Sequence, residues 1–129
     1  MPFKINKNIG IELMTTPNDT KSLIKALQAG PVEFTTVMKI IDENYSFTPV
    51  SFKNGETNNE TNTNNGSCKV FAFGKLHALS QQATLNAFGD FYTVDVLQNP
   101  NNDDHQNIRN FMKFGWDGIT FYGDALKEI

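Results

Sequence analysis

Asp103, Asp104, His105 and Arg109 form the densest polar cluster of the chain, and it holds the sole arginine and one of the two histidines. On a helix, His105 and Arg109 would lie one above the other at i and i+4. First-turn amides, an imidazole and a guanidinium would then offer donors in one direction, the chemistry that holds a small anionic ligand. A structural reading competes for the same residues: Asp103 or Asp104 caps the helix, and Arg109 pairs with a carboxylate. Ten lysines accompany the single arginine, so a guanidinium at this place points to a need for a planar, multi-donor head.

His77 is the remaining candidate ligand-binding residue, set between an apolar run and a helix start. A metal site would have to recruit His77, His105 and one of the two aspartates, a spacing that matches no compact ligand motif. One cysteine excludes any zinc site built on two thiolates, so neither a metal nor a cofactor is expected. Cys68 would become a nucleophile only beside a base such as His77 or His105, whereas its place next to Val70 fits a small buried thiol. Gly74-Lys75 resembles part of a phosphate loop, but Lys69 and Leu76 stand where that motif requires Gly and a hydroxyl. No complete catalytic constellation results, and catalytic residues stay unassigned.

The elements that must position these residues follow from periodicity and punctuation. Thr16, Pro17 and Asp19 read as N-cap, N1 and N3 of a helix with an apolar stripe of Leu23, Ile24 and Leu27. Gly30-Pro31 ends it and starts a second helix bearing Phe34, Val37, Met38, Ile41 and Tyr45, which predicts an αα-hairpin. Tyr45 to Phe52 reads as an edge or bulged strand, because Pro49 lacks an amide for a central ladder. Residues 53–67 contain no hydrophobic side chain and six Asn, which predicts a disordered, mobile loop.

Cys68 to Gly74 carries apolar residues on both alternating faces and reads as a central strand. Ser80 is placed to cap a short helix that stops at Gly89, and Phe91 to Leu97 reads as helical. Ile108, Phe111 and Met112 form the inner stripe of the last helix, which ends at Gly115. Its other face carries Gln106, Arg109, Asn110 and Lys113. Trp116 then anchors the core with its indole N–H on a carbonyl, and Ile119 to Tyr122 alternates as a final half-buried strand. The fold class expected is therefore α+β: one small domain over residues 20–129, with an N-terminal helical hairpin, an antiparallel sheet of about three strands and further helices packed on it. Residues 1–19 form a flexible leader.

At 129 residues the chain has the length of one domain with one core. Eleven Phe, three Tyr and one Trp would supply much of the buried area. Fourteen acidic against eleven basic side chains, a net charge of −3, removes the basic surplus that phosphate-backbone binding needs, so nucleic acid is not an expected partner. Met1 to Met14 is too interrupted by polar residues for a secretory signal. The longest apolar run is too short to cross a membrane, so no membrane partner is expected, and the lone Cys68 suits a reducing cytoplasm.

The stretch from Asn64-Asn65-Gly66-Ser67-Cys68-Lys69-Val70 through His77, and the stretch Asp103-Asp104-His105-Gln106-Asn107-Ile108-Arg109-Asn110-Phe111-Met112 followed by Gly115-Trp116, resemble the HopJ type III effector family. The resemblance also takes in Leu23 to Phe52 and covers the chain from about Thr20 to Tyr122. It implies a small protein of the kind that plant-pathogenic bacteria inject into host cells by type III secretion, and no enzymatic reaction comes with it. The chain departs from the family in its longer leader before Thr20 and its low-complexity 54–65 segment.

Two functional readings follow. In the first, the chain is a non-enzymatic effector that binds a protein partner through exposed aromatics and the 53–67 loop. In the second, it is a small-ligand or anion-binding protein, or a small enzyme, using the Asp103, Asp104, His105 and Arg109 corner joined by His77.

Overall fold

Asp19 starts the first helix. In the computed structural model, which describes residues 16–129, Asp19 Oδ1 accepts the Ser22 amide at 2.8 Å and Ser22 Oγ accepts the Asp19 amide at 3.2 Å. This reciprocal box places the cap at Asp19, three residues beyond the Thr16 expected from the Thr-Pro pair. Helix α1 runs Thr20–Ala29, and the Gly30-Pro31 corner leads into α2, Phe34–Asn44. Leu23, Leu27, Val37 and Ile41 of the predicted stripes are buried, and Ile40, outside them, is buried too. Residues 1–15 of the expected leader lie outside the described residues.

The apolar stretch 45–52 divides. Strand β1 (Tyr45–Phe47) pairs with a C-terminal strand, and β2 (Phe52–Asn54) belongs to a different sheet, with Pro49 in the connection between them. Strand β3 (Thr57–Asn59) returns antiparallel on β2. Strands β4 (Ile119–Phe121) and β5 (Leu126–Glu128) complete the two sheets, β3-β2-β4 and β1-β5. Phe52 faces Phe121, and Tyr45 faces Glu128.

Two sequence-based expectations are corrected here. The 53–67 segment is not a structureless loop: it contains most of the β2–β3 hairpin and the first residues of a helix. Its anchors are polar, because Asn54 and Asn59 are buried and hydrogen-bonded to Asn107. Nor is Cys68 to Gly74 a strand, since it lies within helix α3, Asn65–Leu76. A run that is apolar on both faces marks burial on all sides, and a central helix meets that condition as well as a central strand.

Around α3 the core closes. Phe71 is fully buried, with the rings of Phe111, Phe88, Phe52 and Trp116 at centroid distances of 4.9, 5.5, 6.1 and 6.5 Å. Gly74 lets the helix approach closely, because a Cβ there would stand 2.9 Å from both Thr84 Oγ1 and the Trp116 ring. The Trp116 indole N–H donates to the Leu79 carbonyl at 2.8 Å, as its sequence setting predicts.

Helix α4 (Gln81–Asn86) is capped by Ser80, whose Oγ accepts the Ala83 amide at 3.0 Å. The segment Phe91–Val96 is a π-helix. The last helix, α5, spans Gln106–Phe114 and stops at Gly115, where φ is +62°. Ile108 and Phe111 are buried as expected, Met112 is exposed, and Asn110, expected outside, is buried. These elements make one small α+β domain.

Candidate functional site

Helix α5 begins without the expected aspartate cap. His105 occupies the N-cap position in the left-handed region, φ 51° and ψ 48°, with no side-chain cap bond. Asp104 is committed elsewhere: its Oδ1 accepts from Arg109 NH2 at 2.7 Å, while Arg109 Nε donates to the Asp104 carbonyl at 2.6 Å and NH1 to the Pro100 carbonyl at 3.3 Å. The fork predicted from the arginine's uniqueness is therefore a clip that ties the turn before α5 to its first turns. The hydrogen bond from Arg109 holds the Asp104 carboxyl below the ordinary carboxylate range. Asp103 contributes its carbonyl, which accepts from Gln106 Nε2 at 2.7 Å.

His105 pairs with a residue that motif reading did not select. Its Nε2 lies 3.0 Å from Asp95 Oδ2 on the π-helix, against 3.9 Å from Asp104 Oδ2. The Phe91 ring packs beside the imidazole at 5.3 Å. Asp95 sits in a segment whose helical period is ambiguous from sequence, so only the irregular helix brings it to His105.

The ring of His105 lines a cleft of about 370 Å³. Residues from the starts of two helices meet across it: Asn64, Gly66 and Ser67 at α3, and His105 to Ile108 at α5. Asn64, like His105, is a left-handed N-cap without a side-chain cap bond. Such a conformation is uncommon outside glycine. Phe34 and Phe91 wall the cleft, meeting edge to face with centroids 5.2 Å apart. Behind it stands a buried amide network, in which Asn107 Oδ1 accepts from Asn54 and Asn59 at 3.0 and 3.1 Å and Asn107 Nδ2 donates to Asn59 Oδ1 at 2.9 Å.

His77 does not join the others. It follows α3 at the opposite end from Asn64, and twelve residues of helix separate the two ends by about 18 Å. Its Nε2 is 2.5 Å from the Tyr45 hydroxyl, its ring packs on Phe73, and burial pushes its pKa down. Cys68 is fully buried, and burial pushes its thiol pKa up, away from nucleophile chemistry. Among the described residues no three His, Cys, Asp or Glu side chains gather where they could hold a metal ion. The sequence-selected set is thus divided: Asp104 and Arg109 form the clip, His105 lines the cleft, and His77 stands apart.

Two small sheets wrapped by helices around one central helix define a small α+β protein. Residues 20–126 match the family model of the HopJ type III effector protein, and the chain belongs to that family. A crystal structure titled as that of a protein of unknown function, VPA0580, superimposes with a TM-score of 0.78 at 46% identity, each chain covered in full. No curated protein matches the chain. No helix among the described residues is long and apolar enough to cross a membrane.

The clip makes a prediction of its own. Arg109→Lys keeps the charge but loses the fork geometry, so the melting temperature falls modestly while the response to added phosphate stays that of the wild type. A phosphate-dependent rise in melting temperature that Arg109→Lys blunts would instead make Arg109 a ligand residue.

Proposed function

We propose that this HopJ-family chain is an effector that acts by binding a protein partner, and that it reaches that partner by type III secretion. One observation carries the binding reading: the π-helix and the neighbouring α5 expose Phe91, Val94, Leu97 and Met112 at 41, 40, 46 and 37% of their surface. Leu97 and Met112, with Val96 and Pro100, wall a groove of about 300 Å³. Large apolar side chains left exposed are costly to keep in water, and Leu97 and Met112 meet in one groove, an arrangement that marks interaction sites. Lys113 lines the same groove and has no carboxylate partner among the described residues. The occupant that fits is a protein segment bringing an apolar side chain into the groove and an acidic one to Lys113. The dispersal of His77, Cys68 and Arg109 into separate structural roles favours binding over the enzyme reading.

Two measurements test this reading. A photo-crosslinker at position 97 captures a partner that one at Lys25, on α1, does not, and the wild type sediments as a monomer. Self-association through Leu97 would assign the groove to a second copy and overturn the reading. For delivery, residues 1–19 fused to a reporter carry it out of a secretion-competent host and leave it inside a secretion-deficient one. Equal distribution in both would remove the type III claim.

A further inference from the structure

We propose that the free edge of β4 and the groove between it and α3 take an extended, acidic segment of a protein partner as an added strand, at a surface separate from the Leu97 groove. β4 is the outer strand of the β3-β2-β4 sheet, and its register fixes which backbone groups point outward. The Gly55 amide donates to the Gly118 carbonyl and the Tyr122 amide to the Ser51 carbonyl, with Thr120 opposite Lys53 between them. Alternation along an antiparallel pair then turns the peptide groups of Ile119 and Phe121 away from β2. The Ile119 amide is taken by the Trp116 carbonyl. The Ile119 carbonyl and the Phe121 amide and carbonyl have no hydrogen-bond partner among the described residues.

Water also satisfies an exposed edge, so the selectivity comes from what stands beside it. Two recesses of about 400 and 300 Å³ lie along β4. Ile119 and Trp116 face the end of α3 across the first, and Phe121 and Leu126 face Ala72 and the exposed Leu76 across the second. A chain laid between an edge strand and a helix pairs its main chain with the free edge and sends alternate side chains down toward the helix. A small apolar molecule could fill one recess but would leave the edge unpaired.

Lys75 sets the charge of the occupant. It lines both recesses, and its ammonium stands 5.7 Å from the centroid of the Phe121 ring. It forms no ion pair among the described residues, although Asp124 lines the second recess with it. A carboxylate brought there gains a charge-assisted hydrogen bond. Successive side chains on the helix-facing side of the added strand are therefore apolar, acidic and apolar, one for each recess and one for Lys75.

The test selects a random peptide library displayed on phage against the full chain and titrates the enriched sequences, as synthetic peptides, into isotope-labelled protein. At least one enriched peptide carries the apolar, acidic, apolar pattern at alternate positions and shifts the Phe121 and Leu76 amides saturably. Methylating its backbone nitrogens one at a time weakens binding at alternate positions by about tenfold, the scale of one hydrogen bond, and is tolerated between them. Lys75→Glu changes an exposed side chain and so keeps the melting temperature of the wild type, but weakens the acidic peptide about tenfold or more by placing like charges together. Leu97→Asp leaves its affinity unchanged. Failure of every enriched peptide to shift the Phe121 amide, tolerance of methylation at all positions, equal affinity for wild type and Lys75→Glu, or a loss in Leu97→Asp equal to that in Lys75→Glu would each overturn the proposal. Concentration-dependent shifts of the Phe121 amide without peptide would assign the edge to a second copy of the chain and overturn it as well.

Discussion

Truncating Phe71 to Ala lowers the unfolding free energy by about 3–5 kcal/mol, a fifth or more of the ~5–15 kcal/mol that stabilises a domain of this size. The side chain is fully buried at the centre of α3 and touches rings from β2, the Phe88 turn, α5 and the 3-10 turn at Gly115–Gly118. Four elements would have to shift together to fill the void, so little of the cavity can collapse. Trp116, the sole tryptophan, packs 5.1 Å from Phe111 and 6.5 Å from Phe71 and reports the transition by fluorescence. Denaturant melts of Phe71→Ala and of Phe91→Ala make the comparison. The exposed Phe91 truncation costs far less, and equal losses would mean that α3 is not the centre of the core.

Asn107→Leu is the second large effect, and it tests whether polar groups can anchor the 53–67 segment. The substitution keeps the branched four-atom shape and removes an amide that makes three hydrogen bonds to Asn54 and Asn59. Asn59 Nδ2 is then left buried and unpaired, at a cost of about 1–3 kcal/mol. Asn54 Nδ2 keeps the Asn107 carbonyl at 2.8 Å, so it is only weakened. Adding Asn59→Leu removes the orphan, and the double variant loses less than the sum of the two single losses. Hydrogen exchange follows the same logic: the Thr57–Asn59 amides lose protection in Asn107→Leu while α1 and α2 keep theirs. Unchanged protection throughout the hairpin would show that the asparagine network does not hold it.

Local signals were readable from sequence wherever the physics is local. The αα-hairpin, the Ser80 cap, the Gly115 stop, the strand at Ile119 and the Trp116 indole bond each depend on residues within a few positions or on a single donor. What escaped depends on distant partners. β3 holds no apolar side chain and exists because Asn59 finds Asn107; β5 is a three-residue strand whose register is set by β1. The α3 run is ambiguous by nature, since burial on every side erases the periodicity that separates helix from strand.

The site was legible in part. A fixed partner for Arg109 follows from its uniqueness among the cations, and the expected carboxylate is that of Asp104. His105 was selected for the company of Arg109, yet its partner is Asp95, and its role comes from a left-handed cap that no residue pattern announces. Asn64 was hidden inside the low-complexity 54–65 stretch and Ser67 lies just past it, although both belong to one of the two segments that carry the HopJ resemblance. Those two segments are far apart in sequence, and both begin at the same cleft.

The binding account is tested most directly by titrating the partner captured at position 97, purified, against wild type and Leu97→Asp. An aspartate there would be desolvated beneath an apolar side chain and would compete with the partner's acidic group for Lys113, which lines the same groove. The account predicts at least a tenfold loss of affinity, about 1.4 kcal/mol, with unchanged Trp116 fluorescence and melting temperature. Equal affinities for the two proteins would contradict it.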